Sequence, residues 1–184
     1  MITFILPGYS SGNKDWADEV AKNLKLEGQI RPIYWDHWED ESQTFKPKEK
    51  VDLIIRHSKG ESINIIAKSV GTLVAALVTK EIPDQIGKII LCGIPTVSDE
   101  RLKIFKEAFG NFSSEKIIVF QNKKDPLGSF NEVKEFMTRV NPKINVISKP
   151  RSDHHYPYYE EFELFLENSP AGCLFSGFRR KGKG

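Results

Sequence analysis

Six times along the chain, a short run rich in isoleucine and valine gives way to a polar turn and then to a segment with helical spacing of apolar residues. The runs are Ile2 to Leu6, Ile30 to Trp35, Ile63 to Ala67, Ile86 to Cys92, Lys116 to Gln121 and Ile144 to Ser148. The helical segments are Trp16 to Leu26, Val51 to His57, Val70 to Lys80, Glu100 to Ala108, Asn131 to Val140 and Tyr158 to Glu167. Alternation of this kind predicts an α/β fold, a doubly wound, mostly parallel sheet of about six strands flanked by helices. Continuous apolar strands suit a sheet buried on both faces, so ligands are expected at the carboxyl ends of the strands. Asp15, and Ser129 or Asn131, stand where the first and fifth helices need N-caps.

A length of 184 residues suits one domain of this type. Such a chain buries roughly 70% of its unfolded surface and needs no metal or disulfide to fold, while a (β/α)₈ barrel of roughly 250 residues does not fit. Cys92 and Cys173 belong to no C-x-x-C pair or metal-ligand pattern and read as reduced thiols, which suits a cytoplasmic protein. The opening apolar run stops at Pro7-Gly8 without a basic leader, unlike a signal peptide. No stretch approaches the ~18 apolar residues of a membrane span. With 27 Lys and Arg against 25 Asp and Glu, the charge gives no reason to expect nucleic acid. Arg179, Arg180, Lys181 and Lys183 crowd the end of the chain, so a loose basic tail over 169–184 is expected behind a single domain over 1–168. Without those four side chains the body is slightly acidic, and the basicity is no guide to the substrate.

The third run leads directly into Ala67-Lys68-Ser69-Val70-Gly71, followed by a helix of small residues. A small-x-Ser-x-Gly string between a strand and a helix is the nucleophile-elbow pattern, in which a tight turn lifts the serine hydroxyl above the sheet edge. Ala67 and Gly71 are small, as the crowding of such a turn requires. The plainer reading is a serine N-cap on an ordinary crossover helix. A nucleophilic serine also needs a base and an orienting carboxylate, which in this arrangement follow in the order Ser, Asp, His at the ends of later strands. Asp125 follows the fifth run, in a turn shaped by Pro126 and Gly128. After the sixth run comes Asp153-His154-His155, holding two of the four histidines of the chain. His154 is the favoured base and His155 the other candidate; Asp153 reads as a loop or cap residue.

These residues together resemble the α/β-hydrolase superfamily, over nearly the whole chain from Ile2 to about Glu167. The resemblance implies a Ser69-Asp125-His154 triad and an oxyanion hole made by the backbone N–H groups of Tyr9, after the first strand, and of Val70. It implies acyl transfer without a cofactor or metal: a serine hydrolase acting on a small-molecule ester, with Ser10, Trp35 and His155 as possible pocket residues. The sequence departs from the family at Ala67, usually glycine, at Pro7-Gly8, usually His-Gly, and in lacking two N-terminal antiparallel strands. With the short link from Gly93 to Asp99, where a lid is normally inserted, it is similar to the small lidless serine hydrolases, with an open site and short acyl chains.

Other readings compete. A thioesterase, amidase or peptidase would use the same triad, and a hydrolase fold without turnover would serve as a binding module. An Asp-His-His metallophosphoesterase lacks its upstream aspartates here. Tyr34 to Asp40, with two of three tryptophans, is either an aromatic wall beside the serine or packing against a helix. The tail from Phe175 to Gly184 would suit an anionic surface, though a disordered end is the plainer reading.

Overall fold

The computed structural model describes residues 1–40, 42–95 and 98–167. The apolar runs become six strands, β1 (Ile2–Leu6), β2 (Gln29–Pro32), β3 (Ile63–Lys68), β4 (Ile86–Cys92), β5 (Ile117–Asn122) and β6 (Asn145–Lys149). They pair in the order β2-β1-β3-β4-β5-β6, every neighbour parallel. The helices are α1 (Asn13–Asn23), α2 (Pro47–Ser58), α3 (Gly71–Glu81), α4 (Asp99–Phe109), α5 (Phe130–Val140) and α6 (Tyr159–Glu167). None is long and apolar enough to cross a membrane among the described residues.

The two-residue period of the strands sorts their side chains into two cores. Phe4, Leu6, Ile63, Ile65, Ala67, Ile89, Leu91 and Val119 pack with residues of α2, α3, α4 and α5 on one face. Ile5, Ile66, Ile90, Ile118 and Phe120 pack with Trp16, Ala17 and Val20 of α1 and Phe162, Phe165 and Leu166 of α6 on the other. Each fully buried side chain of this size contributes about 1.5–3 kcal/mol. The chain leaves β1 toward β2 on one side and returns to build β3 to β6 on the other, so the order reverses between β1 and β3. Such a reversal is where a ligand crevice is expected in a doubly wound sheet, at the carboxyl ends, and Pro7-Gly8-Tyr9 and Ser69 follow β1 and β3 there.

Element boundaries differ from the sequence expectations for local reasons. The second strand ends at Pro32, not Trp35: the Ile33 N–H still donates to the Ile5 carbonyl at 2.9 Å, and the chain then turns into a short 3₁₀ helix at Asp36–Trp38. Helix α2 begins at Pro47, four residues before Val51, because its first turn is polar and carries no apolar period. Helix α1 begins at Asn13 behind Gly12, with no side-chain cap, and Asp15 lies inside its first turn. Ser129 is the cap of α5, in a reciprocal capping box with Glu132, and Asn131 lies within the helix. The tail expected over 169–184, with Cys173, lies outside the described residues.

One contact sets the spacing of the crevice. Helix α3 runs so close to the end of β1 that a Cβ on Gly71 would sit 2.2 Å from the Leu6 carbonyl oxygen and 2.8 Å from that of Pro7. Gly71→Ala is therefore expected to cost at least about 1–3 kcal/mol in urea unfolding, whereas Gly12→Ala, with open space around its Cβ position, should stay within about 0.5 kcal/mol.

Candidate active site

Ser69 ends β3 in a left-handed conformation, φ 56°, that few non-glycine residues adopt. Its backbone is pinned on both sides. The Ser69 N–H donates to the Cys92 carbonyl at 3.0 Å, and the Ser69 carbonyl accepts from the Thr72 N–H at 3.0 Å and the Thr72 hydroxyl at 2.6 Å. The turn buries Ser69 to 6% exposure. Val70 already has helical dihedrals, and its N–H, at the positive end of α3, has no partner among the described residues.

Two strands along, the turn after β5 carries Asp125, 4% exposed. Its Oδ2 accepts from His154 Nδ1 at 2.7 Å and from the Tyr156 hydroxyl at 2.5 Å, and its Oδ1 accepts from the Leu127 N–H at 2.8 Å. Burial pushes the carboxyl upward, but the donors His154, Tyr156 and Leu127 outweigh it and hold the group below the ordinary carboxylate range. Because Asp125 only accepts, His154 carries its proton on Nδ1, leaving Nε2 as the acceptor. Nε2 is buried and has no hydrogen-bond partner among the described residues. A Cβ on Gly93 would lie 2.8 Å from His154 Cε1, so the ring rests on the residue after Cys92, the same Cys92 whose carbonyl holds Ser69. Ser69 and His154 thus flank one strand end without a hydrogen bond between them.

The structure joins Asp125 to His154 and not to His155. The His155 backbone is held by Asp153 and Asn122, and its half-buried ring is depressed in pKa by burial and by Lys68 and Arg151. Asp153 closes its own loop: Arg151 and the His155 N–H bind it, and Arg151 first among them draws it down to about 2. The Asp153-His154-His155 side chains therefore face separate partners, and no group of three metal-ligating side chains forms among the described residues.

Sequence reasoning missed the braces. Tyr156, fully buried, donates to Asp125 and accepts from the Asn122 N–H. The Asn122 side chain donates to the Asp153 and His155 carbonyls and accepts from Tyr158. Gln121 ties the Ile94 N–H to the Gly128 carbonyl. No local pattern marks these residues, since their partners come from other strands.

The loop after β1 is held from two sides. Trp35 Nε1 donates to the Gly8 carbonyl at 2.7 Å, and the Tyr9 carbonyl receives Trp38 Nε1 at 2.7 Å and His37 Nε2 at 2.8 Å. Trp35 is only 1% exposed, so it braces the loop from within the core and cannot wall a pocket. Ser10 is exposed, with its hydroxyl and carbonyl bound by the Asn13 amide. Asn13 also accepts from Lys68 Nζ at 2.7 Å. Lys68, the residue before Ser69, lies across Trp16; burial lowers its pKa to about 8, against the opposing pull of Cys92, Asp125 and Asp153.

Two outcomes are expected from this geometry. Tyr156→Phe leaves Asp125 and the Asn122 N–H each short of a partner, a cost of about 1–3 kcal/mol at neutral pH. The carboxyl is held below its unfolded value, so the stabilisation it gains is present above that value and lost as pH falls. The gap between wild type and Tyr156→Phe in denaturant unfolding should therefore narrow from pH 6 toward acid. Lys68 acts in the same direction at higher pH, but here it is loss of the charge that relieves the folded state. Between about pH 8 and its unfolded value of 10.5, the unfolded chain retains a proton the folded protein has released, so wild-type stability rises with pH. Unfolding at pH 7 and pH 10 should show wild type gaining on Lys68→Met.

No family model and no curated relative matches the sequence significantly. Solved structures do. The ydeN gene product from B. subtilis is similar at 17% identity and TM-score 0.62, covering 91% of this chain and 99% of that one. Alpha/beta hydrolase domain-containing protein 10 from mouse is similar at 13% identity and TM-score 0.63, covering 90% and 86%. Est1E from Butyrivibrio proteoclasticus, with ferulic acid bound, is similar at 13% identity and TM-score 0.64, covering 90% and 86%. The chain has the α/β-hydrolase fold in a minimal form, six parallel strands and six helices without a cap domain among the described residues.

Proposed function

We propose that the protein is a serine hydrolase of small carboxylic esters. Ser69 is the nucleophile, His154 the general base, Asp125 the carboxylate that orients it, and the Tyr9 and Val70 N–H groups the oxyanion donors. The observation that carries this reading is the Asp125–His154 bond, which leaves a buried, unpartnered imidazole nitrogen beside the strand end that holds Ser69. A nitrogen in that state has its lone pair free for the hydroxyl proton of a nucleophile.

In the proposed cycle, Nε2 of His154 takes the hydroxyl proton as Ser69 Oγ attacks the ester carbonyl. The oxyanion forms against preorganised N–H donors. The imidazolium, stabilised by ionised Asp125, gives its proton to the leaving alcohol, and water activated by the same histidine releases the acid and frees Ser69. Only six residues separate Cys92 from Asp99, too few for an inserted cap. A site without a lid favours short acyl chains over long ones that need clamping. The ferulic acid held by Est1E is a small carboxylic acid, the kind of product such a site would release.

The test uses wild type, Ser69→Ala, His154→Ala and His155→Ala with p-nitrophenyl butyrate and a fluorophosphonate probe. Wild type should hydrolyse the ester and take the label. Ser69→Ala and His154→Ala should lose about 10⁴-fold or more in kcat, and His155→Ala should stay within about 10-fold. A folded wild type that neither hydrolyses nor labels would establish a non-catalytic binding protein instead.

A further inference from the structure

The aromatic segment after β2 acts on the loop after β1 through hydrogen bonds of unusual density. Three ring N–H donors, from Trp35, His37 and Trp38, converge on two successive carbonyls, those of Gly8 and Tyr9. A carbonyl oxygen cannot donate, so His37 presents its proton at Nε2, and its Nδ1 is buried without a partner among the described residues. The segment is held in turn: Lys50 of α2 binds Asp36 at 2.7 Å, the Tyr9 ring stacks on His37 at 4.5 Å, and Phe45 packs edge-on to Trp35 at 5.2 Å.

Direction follows from the peptide plane and from strand order. In a trans peptide the C=O and the N–H of the next residue point opposite ways, and no cis bond is present among the described residues. Drawing the Gly8 carbonyl toward Trp35 turns the Tyr9 N–H away from it, and drawing the Tyr9 carbonyl toward His37 and Trp38 does the same to the Ser10 N–H. The donors follow β2, which flanks β1 on one side, while Ser69 follows β3, which flanks it on the other. The two N–H groups thus turn from the loop that follows β2, and Ser69 lies on the other side of β1, after β3. Neither N–H has a partner among the described residues. Asn13 fixes the third carbonyl in the series, that of Ser10, at 3.0 Å.

We propose that Trp35, His37 and Trp38 are positioning residues that clamp the Gly8 and Tyr9 carbonyls and so aim the Tyr9 and Ser10 N–H groups at the oxyanion formed on Ser69, with Ser10 a further oxyanion donor beside Tyr9 and Val70. This rests on the hydrolase reading above. The clamp touches no substrate; it acts by removing the loop's freedom before the reaction begins.

The experiment replaces the two half-buried donors, singly and together, by His37→Phe and Trp38→Phe, substitutions that keep aromatic packing and remove the N–H. Because both donors serve one carbonyl, each single variant should lose about 5-fold in kcat on p-nitrophenyl butyrate and the double variant about 100-fold, with KM within about 2-fold of wild type. Affinity for a trifluoromethyl ketone, which forms the tetrahedral adduct, should fall by the same factors, and His37→Gln, which restores an N–H donor, should recover the His37→Phe loss. Thermal melts identify the folded variants; if the double variant does not fold, the singles, the ketone affinities and the glutamine rescue decide. Folded variants with unchanged kcat and ketone affinity, or with the loss confined to KM, overturn the clamp while wild-type turnover keeps the hydrolase reading. A wild type without turnover or labelling overturns both.

Discussion

A parallel sheet covered by helices on both faces has no room for unpaired polar groups, and that constraint organises the rest of the molecule. Every strand residue from Phe4 to Leu6, from Ile63 to Ala67 and from Ile117 to Phe120 is buried, and apart from Thr3 and Asn64 near the amino ends the buried polar side chains of the strands gather at the carboxyl edge. Those buried at the edge, among them Lys68, Ser69, Gln121, Asn122 and Asp125, survive there because each is tied to another loop. A buried carboxylate such as Asp125 is tolerable only when donors surround it. Here the donors come from the Asp125 turn itself and from the loop after β6.

The consequence is a site assembled by satisfying polar groups across strands. Asn122, Gln121 and Tyr156 have no freedom to face solvent, so they bind the loops together and set where His154 lies. What is left unsatisfied is then informative. Among the described residues His154 Nε2 lacks a partner, as do the N–H groups of Tyr9, Ser10 and Val70. All belong to loops at the carboxyl ends of the strands: those after β1 and β3, on either side of the point where the order of the sheet reverses, and that after β6, whose His154 rests on Gly93.

The architecture was legible because periodicity and burial say the same thing about a doubly wound sheet: each of the six apolar runs is a strand and each helical segment a helix, with the ends shifted by local chemistry. The turn into Asp36–Trp38 cut short a strand that hydrophobicity alone extends to Trp35, and the polar first turn of α2 hid its start. In the site, Asp125 and the His154-His155 pair were legible because they stand in the turns after the fifth and sixth apolar runs, in the order a triad needs, though the choice between the two histidines was not. Tyr156, Asn122, Asn13 and Trp38 were not, because nothing in their neighbours distinguishes a brace from a surface residue.

The sequence by itself determined the fold class, the strand–helix register and the crowding around Ser69, since all three depend on side-chain size and apolar spacing along the chain. Only the tertiary structure decided between His154 and His155 as the partner of Asp125, because that depends on which ring the loop after β6 turns toward a carboxylate two strands from Ser69. It also decided the role of the aromatic segment: hydrogen bonds from Trp35, His37 and Trp38 reach carbonyls 27 to 29 positions earlier. Such partnerships are created by the pairing of β1 with β2, and hydrogen-bond direction across them exists only once the strands are side by side.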